Sequence, residues 1–232
     1  QIAKLAGDVT VHAQRQIALR IHRLRELPDV LEGDRVQASA NRPACECVDL
    51  LHTVGWTDVD PKNDHIWVYN RPRTMTTDEA ALDTSGGGGR KNGLGFARPN
   101  GAMADCCNAA PSVLEFDTAG KLLRSWGGPA DPGWLESHCK ASEGCIWPNS
   151  EHGIYIDHNG FVWMGTSNGT HVMKFTQDGK YVMTIGEPGV NKGSNDPDHL
   201  GGPANFYVEP KTNEIFIADG YRNKRVVVYD AA

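Results

Sequence analysis

The chain has no long apolar run: none of its 232 residues falls in a stretch near the roughly 18 uninterrupted apolar residues of a membrane-spanning helix. It has no basic excess either. Its 23 lysines and arginines stand against 29 aspartates and glutamates, a net charge of −6, which argues against a nucleic-acid partner. It lacks any CxxC. Its six cysteines fall as Cys45 and Cys47, Cys106 and Cys107, and Cys139 and Cys145, none with the spacing of a zinc ribbon, which argues against a structural zinc site. There is no nucleophile elbow, zincin motif or paired-carboxylate signal. "SGGGGR" at 85–90 lacks the following Lys-Ser/Thr and the strand-to-helix setting of a phosphate cradle, and reads as a flexible loop.

What is present is turn chemistry. Twenty-six glycines and 13 prolines, with aromatic residues beside them, favour many short strands over long helices. The apolar fraction of 39% and the charged fraction of 22% are those of an ordinary globular protein long enough to bury a core. "CKASEGC" closes a short polar loop and reads as a disulfide between Cys139 and Cys145, which favours an oxidising compartment; six tolerated thiols are the alternative. The chain opens on Gln1 with no basic-then-apolar leader after it, as expected of a processed or trimmed protein. Residues 1–48 differ from the rest. Ile17, Ile21, Leu24 and Leu27 recur near helical intervals before Pro28 and Gly33, so a partly helical extension is expected ahead of a body spanning 49–232.

Within that body a unit recurs: "GWTDVDPKNDHIWVYNR", "GIYIDHNGFVWMGTSNGTHVMKF" and "NFYVEPKTNEIFIADGYRNKRVVVY". Each has a short alternating strand, an acidic turn and a second strand with a bulky apolar centre. The last two continue through a polar turn into a third strand. In the first unit "PSVLEFD" takes that place, delayed by an insertion at about 72–110. Fourth strands follow as "GKLLRSWG" and "GKYVMTIG". Four strands every 40 to 50 residues or so is the arithmetic of a β-propeller blade. The expected fold is therefore an all-β propeller with about three blades present, the third ending before its outer strand. Such an open arc leaves an apolar face and strand edges in water, so the chain is expected to belong to a longer protein or to be covered by a partner.

These units resemble NHL-type repeats, and in particular the six-bladed catalytic core of peptidyl-α-hydroxyglycine α-amidating lyases; they are also similar to secreted bacterial NHL-repeat proteins. The resemblance covers about residues 54–71 and 111–232 and is strongest in "EHGIYIDHNGFVWMG…HVMKF" and "GSNDPDHLGGPANFYVEPKTNEIFIADGYRNKRVVVY". It implies that Arg71 in "VYNR" binds substrate, that His152 in "HG" is one of three zinc ligands, and that Tyr221 after "DG" is the base for the substrate hydroxyl. It also implies a calcium held in part by the backbone carbonyls of Thr57 and Ile154. Two features depart from the family: the other zinc histidines belong to later blades, and Gly201 and Arg222 stand where the family has a disulfide.

Read from the residues alone, each position keeps a plainer role. His152 can cap the start of an inner strand, Tyr221 can fill the core beneath its turn, and Arg71 can pair with Asp78 or Glu79. Asn168 reads as a polar turn despite its "NGT" context, and Asp196 and Asp198 as a weak calcium signal, while for His171 the resemblance implies a packing position. The functional expectation is a secreted or periplasmic binding or scaffold module for a protein, peptide or small ligand. The alternatives are a zinc-dependent lyase of the kind resembled and a subunit of a larger assembly.

Overall fold

A computed structural model describes residues 48–50, 53–74 and 107–232. The expected N-terminal helix, the glycine loop at 85–90, and Asp78 and Glu79 lie outside the described residues. Strand β1 (Val48–Leu50) pairs in parallel with β4 (Cys107–Ala109), a two-stranded sheet that the repeat pattern did not suggest.

Three antiparallel sheets make up the rest. The first is β2 (Thr53–Val59), β3 (Ile66–Arg71), β5 (Val113–Phe116) and β6 (Leu122–Trp126), hydrogen-bonded in that order. The second runs β7 (Glu151–Ile156), β8 (Val162–Thr166), β9 (His171–Phe175) and β10 (Tyr181–Gly186). The third holds β11 (Pro203–Val208), β12 (Glu214–Asp219) and β13 (Arg225–Asp230). Each sheet is thus one recurrent unit of the sequence, and the architecture is all-β and consistent with a propeller-like fold.

The acidic turns explain why the first two strands of each unit pair in register. A carboxylate at the turn takes the amide two residues on, which fixes the reversal without a sheet partner. Asp60 accepts from Lys62 N at 2.9 Å, Asp157 from Asn159 N at 2.8 Å, and Glu209 from Lys211 N at 3.3 Å. These carboxylates therefore serve the hairpins.

Register also sets which face of each sheet meets the next. Trp67 lies opposite Glu115, Trp163 opposite Lys174, and Phe216 opposite Val228, so the three pairs are equivalent. In the first sheet Trp67 and Val113 are buried in one cluster with Ile154, Ile156, Val162, Met164, Met173 and Phe175 of the second. Trp163 and Val172 are likewise buried against Phe206, Val208, Ile215 and Ile217 of the third. Each large side chain so covered contributes about 1.5–3 kcal/mol. On the third sheet the matching face carries Tyr207, Val226 and Val228, which are 41%, 65% and 46% exposed.

A sulfur bridge joins Cys139 and Cys145 just after the short helix α1 (Pro132–His138), the one α-helix among the described residues. Pro132 starts the helix, where its missing N–H costs nothing. Trp134 stacks on Trp126 at 5.2 Å and lies edge-on to Trp147 at 5.5 Å, so the link between the first two sheets is anchored in their shared core. Lys174, buried on β9, donates from Nζ to the carbonyl of Ala231 at 2.5 Å and lies over the rings of Phe161 and Trp163, tying the second sheet to the end of the third.

Candidate functional site

The first strands of the three sheets, β2, β7 and β11, pack side by side, with β7 in the middle. Two glycines permit that approach. A Cβ at Gly153 would lie 2.0 Å from the carbonyl oxygen of Ala204, and one at Gly55 would lie 2.9 Å from that of Glu151. The glycine of the "HG" dipeptide is thereby explained: it lets β7 sit against β11 so closely that the preceding histidine reaches its neighbour's backbone.

His152 Nδ1 is 3.2 Å from Ala204 O, and because a carbonyl can only accept, Nδ1 carries the proton. Nε2 is then a bare lone pair, and it accepts the hydroxyl hydrogen of Tyr221 across 2.6 Å. The two rings meet edge to face with centroids 5.1 Å apart, and Trp56 of β2 stacks on the imidazole at 5.9 Å. Partial burial holds His152 below its ordinary value of 6.5; the charge of Arg71 adds to this and the bond to Ala204 opposes it. The imidazole is therefore neutral at pH 7, in the tautomer that can take a proton at Nε2.

Tyr221 is 56% exposed, so it does not fill the core beneath its turn. The turn itself is held from below. Asp219 at the end of β12 is wholly buried and accepts from Gly201 N at 2.6 Å, Asn223 Nδ2 at 2.7 Å and Arg225 Nε at 2.9 Å. Arg225 also donates to the carbonyls of Ser194, Asp196 and His199. The backbone amides of Tyr221 and Arg222 donate to Gly202 O and Gly201 O, while the Arg222 guanidinium donates to Asn168. The charge in "DGYRNKR" fastens a turn whose phenol faces outward to a histidine on the neighbouring sheet.

Arg71, at the end of β3, donates from Nε to the carbonyl of Glu151, the residue before His152, and so stands at the same end of the sheets. Thr57 and Ile154 lie on the adjacent strands β2 and β7; Ile154 is buried and Thr57 half-buried. Between them, Asp58 of β2 accepts from the backbone N–H of Ile156 on β7 at 2.7 Å. The remaining candidates serve structure. Asp196 is taken by His199 Nδ1 at 2.7 Å and by the amides of Asp198 and His199, and His171 is buried on β9 with Nε2 donating to Ile146 O.

The described residues supply one histidine, His152, to a three-histidine zinc site and do not by themselves hold the metal. His152 brings a single imidazole whose Nε2 is engaged by Tyr221, and among the described residues no three His, Cys, Asp or Glu side chains converge to hold a metal. Trp56, Asp58, Glu151 and Asp219 were not singled out for the site by the sequence. Asp219 alone carried a visible signal, since an acidic residue before a turn glycine commonly bonds backbone amides.

No family model matches the chain. Over 82 residues, 34% of its length, it is 40% identical to a protein of Caenorhabditis elegans described as a probable peptidyl-alpha-hydroxyglycine alpha-amidating lyase. The chain spans 22% of that relative. This partial likeness supports a relation to that lyase family.

Proposed function

We propose that the chain carries part of the active site of a lyase that cleaves the carbon–nitrogen bond of an N-acyl-α-hydroxyglycine. The observation that carries the reading is the 2.6 Å hydrogen bond between Tyr221 of the third sheet and the unprotonated Nε2 of His152 of the second. A neutral imidazole bound to a solvent-facing phenol can pass a proton in either direction. The substrate hydroxyl gives its proton to the Tyr221 oxygen as the phenolic proton moves to His152 Nε2. The electron pair of the O–H bond becomes the carbonyl of glyoxylate, the C–N bond breaks, and the leaving nitrogen takes the proton back from His152 through Tyr221 to become the amide, which restores both residues. Arg71 stands at this end of the sheets and is suited to a substrate carboxylate, because a guanidinium presents paired donors.

In this reading the three sheets are successive blades of an NHL-type propeller that is six-bladed when complete. The Cys139–Cys145 bond supports a secreted or periplasmic setting. The test is release of glyoxylate from an N-acyl-α-hydroxyglycine by the full-length protein. Tyr221→Phe should lower the rate by about 100-fold or more while leaving the fold intact. Absence of glyoxylate from the wild type would reject the reading.

A binding or scaffold role is the second reading, favoured by the exposed apolar row of Tyr207, Val226 and Val228. A protein or peptide partner, or a larger assembly that takes this chain as a subunit, would cover it. Light scattering with and without substitution of Val226 and Val228 by Ser distinguishes a surface that recruits a partner from one that does not.

A further inference from the structure

We infer that Glu151 is a positioning residue: its carboxylate fixes the point from which Arg71 and His152 are aimed. The catalytic consequence rests on the lyase reading above, whereas the positioning itself does not. Glu151 is 1% exposed, and its Oε1 accepts from Trp147 Nε1 at 3.1 Å and Ser112 Oγ at 3.2 Å, with the Arg73 guanidinium at 3.6 Å. These donors come from three separate segments. Arg73 lies in the 3-10 turn directly after β3, Ser112 leads into β5, and Trp147 follows the Cys139–Cys145 loop. Arg73 also donates to Pro148 O at 3.1 Å, which closes the cluster on itself.

On its backbone the same residue does something different. The carbonyl of Glu151 receives Arg71 Nε, and the next residue is His152. Regular pairing of β7 with β8 is broken between Glu151 and Ile154, so the sheet ladder does not by itself fix His152. The buried carboxylate supplies the constraint that the ladder lacks. A carboxylate suits this place because one of its oxygens can accept from several donors at once; burial raises its pKa above the ordinary 4.5, and the contacts with Trp147, Arg73 and Ser112 oppose that. Aspartate is a methylene too short to reach them from the same backbone.

The experiment compares Glu151→Ala and Glu151→Gln in the full-length protein by 15N NMR of the His152 imidazole, assigned by loss of its signals in His152→Gln. Glu151→Gln keeps an oxygen for Trp147 and Ser112 and should retain the wild-type imidazole signals. Glu151→Ala should shift the Nε2 signal toward that of Tyr221→Phe, as the bond to Tyr221 is lost. Turnover of an N-acyl-α-hydroxyglycine should show KM raised and kcat lowered by about tenfold each in Glu151→Ala, and within about threefold of wild type in Glu151→Gln. Should Glu151→Ala fail to fold, Trp147→Phe removes one donor while keeping a ring, and should move the Nε2 signal part of the way. Wild-type imidazole signals in a folded Glu151→Ala, or in Trp147→Phe if that variant alone folds, would overturn the inference. If the wild type releases no glyoxylate, the lyase reading fails and the imidazole signals still decide the positioning role.

Discussion

Replacing Asp219 with asparagine tests how the tyrosine turn is held. The side chain is fully buried and meets three donors: the Gly201 amide, the Asn223 amide group and the Arg225 guanidinium. Arg225 is itself nearly buried and ionised, with its other donors on backbone carbonyls. Asparagine keeps the shape but removes the charge that balances Arg225, and it turns one acceptor into an N–H2 facing donors. Breaking a buried ion pair from one side costs about 3–5 kcal/mol, because the surviving charge is left without compensation. For a chain of this size each kcal/mol lowers the melting temperature by about 2–4 °C, so the variant should melt roughly 6 to 20 °C below wild type. Differential scanning calorimetry at pH 7 measures this directly. At a temperature where both proteins are folded, the Tyr221–His152 bond should also weaken, visible as a shift of the imidazole 15N signals. A melting temperature within about 1 °C of wild type with unchanged imidazole signals would refute the claim that Asp219 holds the turn.

Burial pushes the Asp58 carboxyl from 3.8 up to about 7, against the pull of the Ile156 and Val59 amides. Between those values the folded protein holds a proton that the unfolded chain has released. The stabilisation is therefore complete below about pH 4 and lost as the pH rises through 7, and Asp58→Asn should gain on wild type by up to about 3 kcal/mol between pH 5 and 8.5 in urea titrations. An equal difference at both pH values would contradict this. Gly153→Ala places a methyl 2.0 Å from Ala204 O and should cost at least about 2 kcal/mol, read from the same titrations, with loss of the His152–Ala204 contact. Replacing Cys139 and Cys145 with serine opens a loop with a sequence separation of 6 and should cost about 2 kcal/mol; no loss on calorimetry would show that the helix and tryptophan cluster alone hold this link.

The sheets were legible in the sequence because each repeats one pattern, in which an acidic residue ends the first strand and a bulky apolar residue centres the second. Asp60, Asp157 and Glu209 serve their turns in the same way, and Trp67, Trp163 and Phe216 occupy equivalent registers. Strand pairing within a unit is local, and local signals are what turn residues and alternation encode. Helix α1 and the parallel pair of β1 and β4 escaped because they fall in connections that occur once. At the site, His152 and Tyr221 were visible only through resemblance. Their bond is made across two sheets by residues separated by 69 positions, and no periodicity reports such a contact. Glu151 was hidden for another reason: one glutamate before a histidine carries no signal until three donors from distant segments are seen to meet it.

The double-substitution cycle of Tyr221→Phe and His152→Ala, read as kcat/KM for glyoxylate release from an N-acyl-α-hydroxyglycine, tests most directly whether the two residues act as a unit. Each single change should lower kcat/KM by about 100-fold, and the double change should be no worse than either alone. Losses that multiply to about 10,000-fold in the double variant would contradict the account, showing two independent groups.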